Sequence, residues 1–523
     1  MKLLPLKPWQ ALALIVLASL ALRLVLSSLI AHPGIGDPNH YYNLGLRLAR
    51  GQGYTIDYIW QYNAVYESVV HEDDYWMPLT GYLIAANARL FGESLSAALL
   101  PFIVIGALLP LLSYVACRQV GASQVSGLVA ALTVACLPQL VMSSLRTETT
   151  IPNALFIGGT LLALTWGLRT GRRRAFVAAG IAAGLAYLTR SEAALLLPML
   201  VVVLLAYALW GGQVWAARAW RWTWITPLLA ALMAIPWLAR TQALNGTFST
   251  PTTSNMFFLT DYRDHYAFDR ILSLETLLAA QAPSELVTKR LFELAATARL
   301  ITRELDLLAP LALGGLLLML LARDRPSLLA LAPLLILLGG FIVFYPVLVP
   351  YKSQGGSMKK AFLSLLPLFA PLVAYALERA LADERWRLGA GLLLAALLTV
   401  NAVDTVRLEA QQARAFNDGV AELAAELRAL PDLSGEGDLV FMTQDPFVLG
   451  LHGLSSVVFP FEDRETILAV ARRYGVDYMI LPAARPALDD LYGVARVSDP
   501  RLAWRDAPRE YELLEVRLSS IVE

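Results

Sequence analysis

The chain has 523 residues, of which 57% are hydrophobic and 16% charged, with a mean hydropathy of +0.55. That composition excludes an ordinary soluble enzyme. Its 42 basic and 42 acidic residues cancel, so net charge gives no reason to expect nucleic acid or another polyanion as a partner. Cys117 and Cys136, both in or beside apolar runs, supply neither a disulfide framework nor metal-ligand spacing.

The chain begins MKLLPLKPWQALALIVLASLALRLVLSSLIAHPG. Its apolar core runs about 20 residues, longer than the roughly 7–15 of a signal-peptide core, and reads as a retained transmembrane helix. On the rule of roughly 20 apolar residues per crossing, about eleven spans are expected. They fall near 10–30, 95–115, 124–143, 150–168, 175–189, 193–211, 223–240, 305–322, 328–348, 361–380 and 388–403. Loop charge sets the orientation. With the N-terminus cytoplasmic, the inside carries Lys2, Lys7, Arg118, Arg169, Arg172 to Arg174, Arg218, Arg221, Arg323, Arg325, Arg379, Arg385 and Arg387. The short outer loops then hold five cations that topology does not explain: Arg146, Arg190, Lys352, Lys359 and Lys360. An odd number of spans places the C-terminus outside. The expected location is the plasma (inner) membrane.

Three larger segments are expected to be extracytoplasmic: 31–94, about 241–304, and the tail from about 404. In the first, Asp37 and Pro38 open a helix that Gly51 and Gly53 stop, with Asp37 as N-cap and Pro38 at the first helical position. Tyr41, Leu44, Leu48 and Ala49 recur at helical spacing while Arg47 and Arg50 take another face, as in a helix lying in the membrane interface. His40 and Tyr42 belong to the same helix. A second such segment runs from Met77 to Gly92. Between them, Glu67, His71, Glu72, Asp73 and Asp74 crowd against Tyr75 and Trp76. This run reads either as solvated surface or as part of a site, and its His/Glu/Asp content admits a divalent metal although no ligand spacing supports one. In the tail, residues 409–430 have helical periodicity, "DLVFMT", "SVVFP", "YMILP" and "YELLEVRL" read as strands, and "DRETILAVARRYG" reads as a helix. The expected architecture is a polytopic α-helical membrane domain over 1–403 followed by a small α/β domain over 404–523.

These features, in this order, resemble the GT-C superfamily, integral-membrane glycosyltransferases that use lipid-linked sugars. The likeness is greatest to the protein O-mannosyltransferase group and to the bacterial lipid A aminoarabinose and Rgt-type transferases. It runs through Asp37, Tyr41, Gly51, Pro78, Leu79, Phe91, Gly92 and Glu93, then "SSLRTETTIPNALF", "AYLTRSEAALLLP" and the outer loop before "AFLSLLPLFAPLVAYALERAL". It covers roughly the first 400 residues as architecture. Related transferases often carry Lys-Pro-Pro ahead of the second interface helix, where this chain has Met77-Pro78-Leu79. The donor contact of that lysine must come from elsewhere. Pro38 also stands where relatives often have a second acid.

The resemblance implies transfer of a sugar from a polyprenyl-phosphate donor to a glycan, lipid or protein acceptor at the outer face. Such a reaction needs a base for the acceptor proton and cations for the leaving phosphate. Asp37 suits the first role, and a helix cap is its plain alternative. Arg190, Lys352, Lys359 and Lys360 suit the second, with snorkelling or solvated charge as the alternative. Glu148 reads as a cap, as an acceptor-positioning acid or as a partner for Arg146. Trp60, Tyr62, Tyr66, Tyr75 and Trp76 are either interfacial belt residues or a sugar-stacking surface. His40, Tyr41, Tyr42 and the His71–Trp76 run are expected to line the substrate site.

The competing class is a lipid or sugar transporter, or a flippase, with the tail as a sensor. Such proteins place ionisable residues near the bilayer midplane, whereas here charge gathers at the outer rim. The tail has no Gly-rich phosphate loop or catalytic constellation, and reads as an accessory lid or partner-binding domain. Reporter fusions at Gly53 and after Asp404 are expected to be active only with an extracytoplasmic reporter, and a cytoplasmic signal at either point inverts the orientation.

Overall fold

The computed structural model describes residues 7–211, 217–268, 270–354, 356–429, 439–481, 499, 501–505 and 513–517. Among them, nine helices are long and apolar enough to cross a membrane. These are Pro8–Ser27, Leu95–Gln119, Thr150–Thr170, Ser191–Trp210, Ala219–Asn245, Pro283–Leu321, Arg325–Leu348, Ser357–Ala380 and Glu384–Ala429. The chain is therefore a multi-pass helical membrane protein.

Two of the expected spans take a different form. The one at 124–143 is a helix over Gln124–Cys136 and a short one over Pro138–Ser143. Leu137 between them is extended, because the following proline ring clashes with a helical conformation at the residue before it. The one at 175–189 is a 17-residue helix, Arg173–Thr189, which ends at extended Arg190. The second outer segment is largely helical, with Pro283–Leu305 running almost directly into Ala309–Leu321. Arg23, inside the first span, is fully buried. Its guanidinium donates to the Ser19 and Ser144 hydroxyls at 2.6 and 3.0 Å and to the Ala135 carbonyl at 3.1 Å. An intramembrane cation is thus held by neutral acceptors from its own helix and from neighbouring segments.

The first outer loop holds the two expected helices, Asp37–Ala49 and Pro78–Phe91. They pack on each other, and Arg89 of the second donates to the Leu48 and Ala49 carbonyls at 2.9 and 3.0 Å. Those carbonyls end the first helix and lack partners within it. The loop also carries three two-residue strands: β1 (Thr55–Ile56), β2 (Tyr58–Ile59) and β3 (His71–Glu72).

The tail contributes β4 (Val440–Thr443), β5 (Ser455–Val458), β6 (Tyr478–Ile480), β7 (Leu502–Arg505) and β8 (Leu513–Val516). The expected strand at 511–518 is described only over 513–517. With β2 these strands form one sheet in the order β2-β5-β4-β6-β8-β7. The β2, β5, β4 and β6 pairings are parallel, and β8 and β7 are antiparallel additions. The loop strand registers Tyr58 on Ser456 and Ile59 on Val457. A hydrogen-bonded sheet does not straddle a bilayer, so the first loop and the tail lie on the same side of the membrane. The expected boundary at 404 falls inside one continuous helix, Glu384–Ala429, which rises from the membrane domain into the tail. That helix also holds the first loop: Asn417 donates to the Gly34 carbonyl at 2.9 Å and accepts from Asn39 at 3.2 Å.

Small residues set the closest helix approaches in the membrane domain. At Gly315 an added Cβ would lie 2.0 Å from the Leu372 carbonyl oxygen, whereas at neighbouring Gly314 it would meet nothing within 4 Å. Gly315→Ala is expected to destabilise the domain by about 1–3 kcal/mol through overpacking against backbone. Gly314→Ala is the control, and thermal unfolding of the two variants in one detergent should separate them.

Candidate active site

The first-loop helix begins immediately after Gly36, whose φ of +70° is left-handed. Asp37 is thus the first helical residue and Pro38 the second. The Asp37 side chain makes no capping hydrogen bond. This corrects the expected N-cap assignment: the cap position is Gly36, and the carboxylate is turned outward. The second helix of the site, Ser357–Leu365, likewise starts after a glycine with positive φ, Gly356 at +82°. Gly355, the residue before it, lies outside the described residues. The Ser364 hydroxyl accepts from Asn153 at 2.9 Å and donates to the Lys360 carbonyl at 3.0 Å, tying the helix to Thr150–Thr170.

Lys360 stands between two acids. Its ammonium donates to Asp37 and lies 3.3 Å from a Glu148 carboxylate oxygen. The Glu148 side chain is 4% exposed, against 30% for Asp37 and 21% for Lys360. Glu148 is thus the buried anchor and Asp37 the accessible member. Burial pushes the Asp37 carboxyl up, but the Lys360 charge and hydrogen bond, with His40 and Arg190, outweigh it and hold the group below its ordinary range. Of the readings open for Glu148, pairing with Arg146 is ruled out by geometry: Arg146 pairs with Glu409.

Asp37 and Lys360 line a cavity of ≈ 510 Å³, a size suited to a ligand headgroup. Arg190 and Lys352 line it too. Arg190 pairs with Glu192, a cavity-lining acid that sequence reasoning did not single out, and donates to Thr149 at 3.0 Å. Lys352 has no carboxylate partner among the described residues. Its ammonium donates to the Tyr75 hydroxyl and sits 4.5 Å from that ring's centre. Burial lowers its pKa to about 8, Lys360 adding to the effect and Asp37 opposing it. Lys359 turns away: it faces Glu304 at 3.5 Å and does not line the cavity.

The acidic run is divided among separate partners. His71 stacks on Tyr66 with ring centres 3.6 Å apart, Glu72 pairs with Arg240, and Asp74 accepts from the Tyr66 hydroxyl at 2.9 Å. Asp73 is buried 3.2 Å from His40, whose other ring nitrogen meets the Tyr58 hydroxyl at 2.6 Å. Among the described residues no group of three His, Cys, Asp or Glu side chains converges to hold a metal. The residues present do not fit the divalent ion that the composition of this run admitted. None of His40, His71, Glu72, Asp73 and Asp74 lines the cavity, and neither does Tyr42. Tyr41, Trp60, Tyr75 and Trp76 do, whereas Tyr62 packs into the core of the tail sheet and Tyr66 against it. Phe447 of the tail also reaches the cavity, as does Met77, where the resembling proteins often have lysine.

Fold and site together describe a polytopic helical membrane protein with a charged and aromatic cavity beside its first outer loop. Residues 77–239 match the family model described as dolichyl-phosphate-mannose-protein mannosyltransferase. That stretch contains Glu148, Arg190 and Glu192 but not Asp37, Lys352 or Lys360. An undecaprenyl phosphate-alpha-4-amino-4-deoxy-L-arabinose arabinosyl transferase of Pseudomonas aeruginosa (strain UCBPP-PA14) is 30% identical over 175 residues. The match covers 32% of this chain and 30% of the length of that relative. The structure of ArnT from Cupriavidus metallidurans bound to undecaprenyl phosphate superposes with a TM-score of 0.61 at 16% identity, over 97% of this chain and 98% of that one. The oligosaccharyltransferase of Archaeoglobus fulgidus in its apo form gives 0.57 at 15% identity, over 91% and 69%.

Lys352 is protonated below about pH 8 and loses its charge above that. Affinity of the cavity for a phosphate monoester is therefore expected to fall as pH rises from about 7.5 to 9.5, a range in which such a phosphate is already ionised. Lys352→Arg stays charged and should remove the dependence. An equally steep fall in that variant, measured by titration of the purified protein, would show that another group is responsible.

Proposed function

We propose that the chain transfers a sugar from a polyprenyl-phosphate donor to a glycan, lipid or protein acceptor at the extracytoplasmic face of the plasma (inner) membrane. The observation that carries this reading is the meeting of an accessible carboxylate, Asp37, with three cations, Lys360, Arg190 and Lys352, in the lining of one cavity. The activities by which the matched family and the arabinosyl transferase are named, both involving lipid-phosphate sugars, support it.

The acceptor oxygen or nitrogen attacks the anomeric carbon. The bond from that carbon to the phosphate oxygen breaks, its electron pair leaves on the phosphate, and the acceptor proton passes to an Asp37 oxygen. Lys352 and Arg190 meet the charge that builds on the phosphate. In this reading Lys352 supplies the cation that the Met77-Pro78-Leu79 segment lacks, since it rests on Tyr75, two positions before Met77. Glu148 makes proton uptake by Asp37 tolerable: when Asp37 becomes neutral, Lys360 keeps a buried counter-ion. Lys359 has no part in this scheme. The tail, 404–523, is an extracytoplasmic domain that closes the cavity through Phe447.

The test is transfer from radiolabelled polyprenyl-phosphate sugars in membranes containing wild type, Asp37→Asn or Asp37→Glu. The amide is nearly isosteric with the acid but takes up no proton. The Asn variant is expected to be folded and about 10²–10⁴-fold slower, with the Glu variant intermediate. Near-wild-type turnover in a folded Asn variant would remove Asp37 as the base and point to Glu192, the remaining cavity carboxylate among the described residues.

A further inference from the structure

The cavity lining is of two chemical kinds, which meet where Lys352 rests on Tyr75. One is charged: Asp37, Lys360, Arg190, Glu192 and Lys352. The other is made of rings: Trp60, Tyr75 and Trp76 of the first loop, Tyr262 and Tyr266 of the second outer segment, and Phe447 of the tail. Trp60 is their hub, with ring centres 5.2 Å from Tyr75, 5.6 Å from Trp76 and 6.1 Å from Phe447. Set in the aromatic wall is His265, which is 2% exposed and lines the cavity.

His265 is held from both ends. Its backbone carbonyl accepts from the Tyr62 amide at 2.9 Å, and its Nδ1 lies 2.7 Å from the Asn63 side-chain nitrogen. The 3-10 turn that carries it, Tyr262–Tyr266, is closed by Asp264, which accepts from the Thr260 amide at 2.6 Å and the Thr260 hydroxyl at 2.8 Å. With the Asn63 amide donating to Nδ1, the ring proton sits on Nε2. That nitrogen is buried and has no hydrogen-bond partner among the described residues. An unmet donor of this kind costs about 1–3 kcal/mol, so its retention in a rigid setting calls for a ligand. Burial drops the imidazole pKa to about 4, against a smaller upward pull from Asp264, so the group is neutral at physiological pH. A neutral donor among aromatic faces does not suit a phosphate. It suits a hydroxylated ring, whose C–H face stacks on aromatics while its hydroxyls need individual partners.

We propose that His265 and the Trp60–Phe447 wall form a carbohydrate subsite in which the His265 Nε2–H donates to a sugar hydroxyl. The subsite rests on the transfer reading above, and the sugar it holds belongs either to the donor or to the acceptor. His265 is a binding and specificity residue in this scheme. The tail shares in substrate recognition through Phe447, and the first loop does so twice, by its own rings and by fixing His265.

The test uses the purified full-length protein in lipid nanodiscs, as wild type, His265→Ala, His265→Gln and Phe447→Ala. Each is titrated with undecaprenyl phosphate, with undecaprenyl-phosphate-linked mannose and 4-amino-4-deoxy-L-arabinose, and with free methyl glycosides of the same sugars. His265→Ala is expected to bind undecaprenyl phosphate as wild type does and to bind sugar-bearing ligands roughly 3- to 10-fold more weakly, the loss of one neutral hydrogen bond. His265→Gln, which keeps an N–H donor, should recover part of the loss, and Phe447→Ala should weaken the same ligands without removing a hydrogen bond. A loss confined to the lipid-linked sugars assigns the subsite to the donor, and a loss confined to the methyl glycosides assigns it to the acceptor. Unchanged sugar binding in His265→Ala and Phe447→Ala, with undecaprenyl phosphate still bound, overturns the subsite and leaves the transfer reading intact. An equal loss of bare undecaprenyl phosphate in both His265 variants makes the residue structural and also overturns it. Failure of wild type to bind undecaprenyl phosphate at all strikes the transfer reading itself.

Discussion

One ammonium between two carboxylates is the constraint around which this cavity is arranged. Lys360 is largely withdrawn from solvent, and a buried cation persists only if its lost hydration is replaced. Glu148 and Asp37 replace it. The three residues come from three separate elements: the first-loop helix, the bend just before Thr150–Thr170 and the Ser357–Leu365 helix. Holding them in register requires each element to be fixed independently, and each is. The Thr147 hydroxyl donates to the Pro38 carbonyl at 2.6 Å, Asn417 grips Gly34, and Asn153 grips Ser364. A carboxylate that faces a substrate cavity is thereby kept ionised without being closed off.

The sheet has the same kind of consequence on the other side of the cavity. A two-residue strand of the first loop joins five strands of the tail, so the loop cannot move without the sheet. Gly450 lets the short helix Pro446–Leu451 settle onto that strand, since an added Cβ would lie 2.7 Å from the Tyr58 ring. The adjoining Phe447 is placed in the cavity by this contact. The tail therefore does more than hang from the membrane domain. It forms part of the wall, and the long helix Glu384–Ala429 supplies the rigid connection.

Charge in the cavity is nearly balanced, with one exception. Lys360 has its two acids and Arg190 has Glu192, leaving Lys352 against an aromatic ring and a phenol. A cation in that state is weakly compensated, and burial lowers its pKa.

Local signals in the chain determined a good deal. Apolar run length located the spans, helical spacing bounded by glycines located the two first-loop helices, and loop charge isolated Arg190, Lys352 and Lys360 as cations needing another reason to be where they are. Asp37 was conspicuous because an acid at the end of an apolar run is costly unless it is used. What only the tertiary structure decided are the pairings. Lys360 meets Asp37 across 323 positions, while adjacent Lys359 points to Glu304, because a helix turns successive side chains by about 100°. The His71–Asp74 run looked like a cluster, yet its members turn to three different neighbours, Tyr66, Arg240 and His40. Strand β2 is too short to leave a periodic trace, and Glu192 and His265 are single residues in unremarkable contexts. Periodicity and hydropathy are properties of neighbours in sequence, whereas a binding cavity is a property of neighbours in space. The membrane fixes the first through apolar burial, and packing between distant helices, the first loop and the tail fixes the second.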